Sequence, residues 1–301
     1  MTNDDELFAG DFLARLERLR LRVRKVLPGR LRADRRSRRT GSSMEFADYR
    51  NYAAGDDPRR IDWNIYGRLG RLMTKLYEEE DDLEAAILID CSRSMRWALR
   101  PGAPAAKLDL ARRLAAALAY LALQGLDRVG LWYFDTRLRA ESGVFRGRKA
   151  FYDLMRFLRK VPETGTGTDL LESLGRFARS RRRPGLAIVL SDCLDPAGFE
   201  RGLAAVAGRH FALHLIHVMD PAEENPANAG DLVLRDCESG DEMMVTANAA
   251  LMNAYRREVQ RFQDEIKAWC ARNDCGYSLA FAGAAFEELV LRLFRKDGLL
   301  R

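Results

Sequence analysis

The chain has 301 residues, of which 47% are hydrophobic and 31% charged, enough apolar material for a sizeable core in one large domain or one domain with an elaboration. No apolar run approaches the ~20 residues of a membrane-crossing helix, the opening Thr2-Asn3-Asp4-Asp5-Glu6 does not read as a signal peptide, and five cysteines without zinc-ribbon or thioredoxin spacing predict reduced thiols and a cytoplasmic location. The net charge of +6 is unevenly spread: residues 15–39 hold twelve Arg or Lys against Glu17 and Asp34, a local +10 that leaves −4 for everything else.

In chain order, the first eighty or so residues read as irregular apart from one helix. Phe12, Leu16, Leu19, Val23 and Val26 recur at steps of four and three, one apolar stripe ended by Pro28-Gly29. A basic arm, Arg30 to Arg39, follows, and then a tract from Gly41 to Tyr77. From Glu84 the pattern changes. Ala85 to Ile89 is a short apolar run closed by Asp90, as in a buried parallel strand. Lys107 to Gln124 reads as an Ala- and Leu-rich helix, Arg128 to Phe134 as a strand, and Phe151 to Leu158 and Leu170 to Ala178 as helices. Leu186 to Leu190 is a strand ending at Ser191-Asp192, Phe199 to Val206 a helix and Phe211 to Val218 a strand. Leu232 to Val245 reads as a hairpin around Ser239-Gly240, Leu251 to Cys270 as a helix, Tyr277 to Phe281 as a strand and Phe286 to Phe294 as a helix. Alternating strands and helices predict an α/β fold with a mainly parallel sheet and helices on both faces, placed at 81–301 behind an N-terminal extension at 1–80.

Ligands of open α/β sheets sit beyond the carboxyl ends of the strands. Three pieces of sequence fall there: Asp90-Cys91-Ser92-Arg93-Ser94, Gly165-Thr166-Gly167-Thr168-Asp169 ahead of a helix, and Ser191-Asp192. Together they supply two carboxylates and several hydroxyls, all hard oxygen donors of the kind Mg²⁺ takes. An ion held mainly by hydroxyls stays electron-poor and attracts one more carboxylate from outside.

These residues resemble the metal-ion-dependent adhesion site of von Willebrand factor A domains. Asp90, Ser92 and Ser94 match its first motif, Thr168 its loop threonine (with Thr166 the fallback) and Asp192 its last acid. The resemblance implies a Rossmann-like sheet and a bound Mg²⁺ or Mn²⁺ touched by the serines, with the acids acting directly or through water. Cys193 stands where related domains often carry Gly.

A second tract, Gly41-Ser42-Ser43-Met44-Glu45-Phe46-Ala47-Asp48-Tyr49-Arg50 leading to Gly55-Asp56-Asp57-Pro58-Arg59-Arg60-Ile61-Asp62-Trp63, resembles the hallmark of domain-of-unknown-function family fifty-eight. That resemblance implies a MoxR-type AAA+ ATPase as partner and a chaperone-like or assembly role. Physically, Gly55-Asp56-Asp57-Pro58 is a turn, and its Arg and Asp neighbours are expected to pair against Trp63 and Tyr49 as a structural clamp.

The expected function is therefore a metal-dependent protein-binding adaptor, not an enzyme, whose ion is completed by an Asp or Glu of an ATPase or client. No phosphate loop and no Gly-x-Ser-x-Gly elbow is present, and His210, His214 and His217 read as core or edge residues. Two alternatives stand beside it. One is a metal-dependent phosphoesterase using Asp90 and Asp192, with Asp169 and Asp195 as the only nearby extra acids. The other is a nucleic-acid binder using Arg30 to Arg39.

Overall fold

The computed structural model describes residues 11–12, 14–19, 40–53, 56–78, 84–96, 106–124, 128–162, 167–181, 185–209, 211–226 and 230–295. The Arg30 to Arg39 arm, Thr166 and His210 lie outside them. The chain divides into two compact units, Leu27–Asp82 and the pair Met1–Val26 with Leu83–Leu300.

The smaller unit corrects the expectation of an irregular extension. Strand β1 (Thr40–Asn51) pairs antiparallel with β2 (Met73–Glu78), and helix α1 (Trp63–Leu69) lies between them in sequence. The acids of its charged tract work as caps. Asp57 Oδ1 accepts the amide of Arg59 at 3.0 Å and so starts a one-turn 3-10 helix at Pro58–Arg60. Asp62 Oδ1 accepts the amides of Asn64 (2.9 Å) and Ile65 (3.3 Å) at the start of α1, and its Oδ2 accepts the Tyr49 hydroxyl at 3.0 Å. Such caps satisfy amides that a helix leaves orphaned in its first turn. Arg50 pairs with Asp56 at 2.7 Å. Trp63 stands apart from this network: it is 63% exposed and meets Tyr66 edge-on. Among the described residues the expected clamp is thus a set of caps with the Arg50–Asp56 ion pair, and the tryptophan faces solvent.

In the larger unit the elements run β3 (Glu84–Asp90), α2 (Ala106–Gln124), β4 (Arg128–Phe134), β5 (Leu138–Arg146), α3 (Phe151–Arg159), α4 (Leu170–Ser180), β6 (Gly185–Ser191), α5 (Glu200–Ala207), β7 (Phe211–Met219), α6 (Pro221–Glu224), β8 (Gly230–Arg235), β9 (Glu242–Ala247), α7 (Ala249–Arg272), β10 (Gly276–Phe281) and α8 (Phe286–Arg295). Six strands form one sheet in the order β10-β7-β6-β3-β4-β5, all parallel except the edge strand β5, while β8 and β9 make a separate hairpin. This confirms a mostly parallel α/β sheet and adds β5, which was not expected.

The apolar runs are strands because both their faces are covered. All seven residues of β3 are buried. Successive residues of β4 point to opposite layers, as the pleat requires: Trp132 packs on Phe177 of α4 at 5.1 Å, and Tyr133 stacks on Phe157 just across the other face at 5.2 Å. Helix α4 buries Leu170, Leu174, Phe177 and Ala178, the one-sided spacing of an amphipathic helix. It packs closely on α5 because Gly202 has no side chain: a Cβ there would lie 2.6 Å from Leu170 Cβ. The helical residues 14–19 join the same unit. Leu16 and Leu19 are fully buried, Phe12 meets Phe286 at 5.7 Å, and Arg15 Nε donates to Glu287 Oε1 at 2.5 Å. Burying the two leucines contributes about 2 kcal/mol each, against far less for the half-exposed ion pair.

The sheet reverses its winding between β3 and β6, which are hydrogen-bonded neighbours. Such a switch point opens a crevice at the carboxyl ends of its two strands. Asp90 ends one and Ser191-Asp192 the other.

Candidate functional site

Asp90 is fully buried and held from two sides. Its Oδ1 accepts the Ser92 amide at 2.9 Å, and its Oδ2 accepts the Ser191 hydroxyl at 2.6 Å across the β3–β6 seam. The first bond turns the chain back at the strand end. That turn sets Ser92 and Ser94 side by side, their hydroxyl oxygens 2.9 Å apart and both buried. The Ser191 hydroxyl also accepts the Cys193 amide at 2.9 Å, which bends the chain sharply after β6. Cys193 takes the left-handed conformation, φ 58°, which explains why glycine suits this position.

Asp192 is 2% exposed, and both its oxygens are engaged. Oδ1 accepts the Leu194 amide at 3.2 Å; Oδ2 accepts from the Lys107 ammonium at 2.8 Å. Lys107, in the first turn of α2, is itself fully buried, and it also donates to Glu223 of α6. Burial pushes the Lys107 ammonium down, but Asp192 and Glu223 outweigh that and hold it above the ordinary lysine value. Glu223 is aimed by its own helix end, where its Oε2 accepts the Asp220 amide at 2.9 Å. Burial raises its carboxyl despite the lysine.

The loop before α4 brings in Thr168, which is 7% exposed. Asp169 caps α4 through the Glu172 amide at 2.8 Å, and its own amide donates to the Asp135 carbonyl beyond β4 at 3.2 Å. Thr168 Oγ1 donates to Glu238 Oε1 at 2.9 Å, in the turn between β8 and β9. Burial raises the Glu238 carboxyl, and the Asp192 charge adds to this.

Asp90, Ser92, Ser94 and Asp192 therefore form one cluster around the β3–β6 seam, and Thr168 is tied to it through Glu238, which feels the charge of Asp192. Asp169 and Asp195, the spare acids of a phosphoesterase reading, are occupied as caps: Asp195 Oδ2 accepts the Leu170 amide at 2.7 Å and its Oδ1 the Ala197 amide at 2.8 Å. Cys91 points elsewhere, its thiol donating to the Phe134 carbonyl at 3.2 Å, and all five cysteines are unpaired with each other. His214 and His217 are buried against Ser278 and Tyr277. Three participants were not anticipated, Lys107, Glu223 and Glu238, while Ser191 was expected only as one of the hydroxyls at its strand end. Lys107 carried a faint signal, a lone charge on the apolar face shared with Ala111 and Leu114. The two glutamates carried none, since each meets the site from a distant segment.

Electrostatically the two acids differ: Asp192 is paired with the Lys107 ammonium, whereas Asp90 is held by hydroxyl and amide hydrogens. Burial, followed by the Asp192 charge, lifts the Asp90 carboxyl to about 7 against the pull of its hydrogen bonds from Ser191 and Ser92. Among the described residues no three His, Cys, Asp or Glu side chains converge as metal ligands, so a cation here would rest on hydroxyl oxygens. The donors suit a hard cation. Ser92 and Ser94 offer hydroxyl oxygens hydrogen-bonded to each other at 2.9 Å, and Thr168 and Glu238 a hydroxyl and a carboxylate oxygen hydrogen-bonded at 2.9 Å, hard donors of the kind Mg²⁺ takes.

Comparison with known proteins gives a family but no activity. An uncharacterised protein of Mycobacterium bovis is 31% identical over 255 residues, 84% of this chain and 79% of that protein, and an uncharacterised protein of Mycobacterium tuberculosis matches equally well. Among solved structures, the conserved hypothetical protein BatB of Bacteroides thetaiotaomicron aligns at TM-score 0.45 and 15% identity over 72% of this chain and 98% of that one. An aerotolerance-related membrane protein of Bacteroides fragilis aligns at 0.44 and 16% over the same shares. At that similarity neither structure informs function. Among the described residues no helix is long and apolar enough to cross a membrane. Residues 48–265 match the family described as Protein of unknown function DUF58, and the chain belongs to it.

Proposed function

We propose that this chain is a metal-dependent protein-binding adaptor built on a von Willebrand factor A-like sheet. The observation that carries it is the pair of buried hydroxyls, Ser92 and Ser94, set 2.9 Å apart beside the buried, cation-poor Asp90 at the switch point of the sheet. Ser92, Ser94 and Thr168 are the residues to hold Mg²⁺ or Mn²⁺. Asp90, bound by Ser92 and Ser191, orients the serine turn from behind. Asp192, with both oxygens bonded, is suited to hold an ion-bound water. The ion would supply a positive centre that takes up a carboxylate.

The role is binding rather than turnover, with an Asp or Glu of a partner completing the ion's shell. The family resemblance points to a MoxR-type AAA+ ATPase as that partner or as the source of energy for acting on a client, and to a cytoplasmic setting. The test is a pull-down of the ATPase with the wild type and the Ser92→Ala/Ser94→Ala double variant, with Mg²⁺ and with chelator. Capture by the wild type in Mg²⁺ alone supports the reading. Capture that survives both chelator and the double substitution refutes it.

A further inference from the structure

The outer face of the ion is left, in that reading, to a partner's carboxylate. A carboxylate of this chain already meets the loop threonine of that site. Glu238 Oε1 accepts the Thr168 hydroxyl at 2.9 Å, and its Oε2 lies 3.3 Å from where a Cβ on Gly167 would be, so the glycine leaves room for it. The turn that carries Glu238 is built to aim it. Asp236 Oδ1 accepts the amides of Glu238 at 2.7 Å and Ser239 at 2.8 Å. Asp236 and Asp241 close the turn backbone to backbone at 2.8 Å, and Gly240 takes φ 81° to complete the reversal. Ser239 Oγ donates to Asp241 Oδ2 at 2.9 Å. The strands behind the turn pair in unbroken register from Gly230↔Ala247 to Arg235↔Glu242. A surface carboxylate with no task would turn to water; this one is partly buried against a threonine seventy residues away.

We propose that Glu238 is the chain's own ligand for the Ser92–Ser94–Thr168 site, an internal carboxylate carried by the β8–β9 hairpin that fills the partner's position until a partner's Asp or Glu displaces it. The proposal rests on the metal reading above and adds a residue and a gate to it. A tethered ligand competes at an effective concentration in the millimolar range, so a free carboxylate at lower concentration does not displace it. A partner must therefore bring contacts beyond one acid, which makes the hairpin a selectivity device.

The experiment is a Mn²⁺ titration of the full chain, as wild type, Glu238→Ala, Glu238→Gln and Ser92→Ala/Ser94→Ala, with and without acetate in the tens of millimolar. Amide hydrogen exchange of residues 230–247 is followed in parallel. Loss of one ligand should weaken Mn²⁺ binding by about tenfold or more in both Glu238 variants. Acetate should recover most of that loss in Glu238→Ala and change the wild type little. Mn²⁺ should slow exchange across the hairpin in the wild type only. Glu238→Gln keeps the side-chain volume and guards against a folding artefact. Equal or tighter Mn²⁺ binding by both Glu238 variants, with the metal lost in the double serine variant, overturns the role of Glu238 and leaves the metal site standing. If the wild type itself binds no Mn²⁺, the metal reading falls and this proposal with it.

Discussion

Lys107→Met is the most informative single change in the body of the sheet. The side chain is fully buried, and its ammonium is shared between Asp192, 2% exposed, and Glu223. Methionine fills nearly the same volume, so packing is largely kept and the change is electrostatic. Two carboxylates then face each other in a site where Asp90 already feels Asp192. Breaking a buried pair by removing one partner costs about 3–5 kcal/mol, because the remaining charge is stranded. The deficit should depend on pH in a defined direction. Glu223 already sits above the usual carboxylate range through burial, and without the lysine it rises further. A carboxyl raised in the folded state stabilises the protein as pH falls, so the variant should recover relative to wild type as the pH is lowered from neutrality. The assay is urea unfolding of both proteins at each pH, with the shift in midpoint read at constant slope. A deficit below about 1 kcal/mol, or one unchanged on acidification, would refute the assignment of Lys107 as counter-ion to both acids.

Three further outcomes follow from the structure. Mg²⁺ or Mn²⁺ at a hundredfold excess over its dissociation constant should stabilise the protein by about 2.7 kcal/mol, read as a chelator-sensitive melting temperature; an unchanged melting temperature counts against the metal site. His214 and His217, both lowered by burial to about 4, should stay neutral from pH 8 down to about 5, and the stability tied to them should be lost as pH falls from about 6.5 toward 4; ring resonances titrating near 6.5 would contradict their burial. Asp62→Ala removes the cap of α1 and the Tyr49 contact and should cost about 1–2 kcal/mol in thermal unfolding while leaving Mn²⁺ affinity unchanged; altered Mn²⁺ affinity would show that Asp62 reaches the site.

What the sequence reveals and hides has a physical pattern. The central parallel strands are legible because burial on both faces demands a short unbroken apolar run, and Ala85 to Ile89 can be little else. The acids at their ends are legible because nothing else excuses a carboxylate next to such a run. Strand β5 escapes because it is a half-exposed antiparallel edge with Arg139, Glu141 and Arg146 along it. Strands β1 and β2 escape because a two-stranded ribbon needs no apolar run. The serines and Asp90 of the site are contiguous and could be read together. Lys107–Glu223 and Thr168–Glu238 are closed across 116 and 70 positions by the folding of the sheet itself, and no local pattern carries them.

The long-range nature of the site also ties it to packing at a distance, and Gly202→Ala tests that link. A Cβ at this position would lie 2.6 Å from Leu170 Cβ, 2.7 Å from Leu170 C and 2.9 Å from its carbonyl oxygen. Two of those three atoms are backbone, so no rotamer change relieves the clash and α5 must part from α4. Overpacking of this kind costs about 1–3 kcal/mol. The strain is delivered at the first residue of α4, two positions from Thr168, whose hydroxyl is held by Glu238. The substituted residue touches no proposed ligand, yet the variant should both melt earlier and bind Mn²⁺ more weakly, with Ser92 and Ser94 untouched. Gly208→Ala makes a suitable control. It sits at the other end of α5, where a Cβ would come no nearer than 3.0 Å to a carbonyl of its own helix, and it should leave Mn²⁺ affinity alone. Weaker folding with unaltered Mn²⁺ binding in Gly202→Ala would mean that Thr168 is not positioned by the α4–α5 contact.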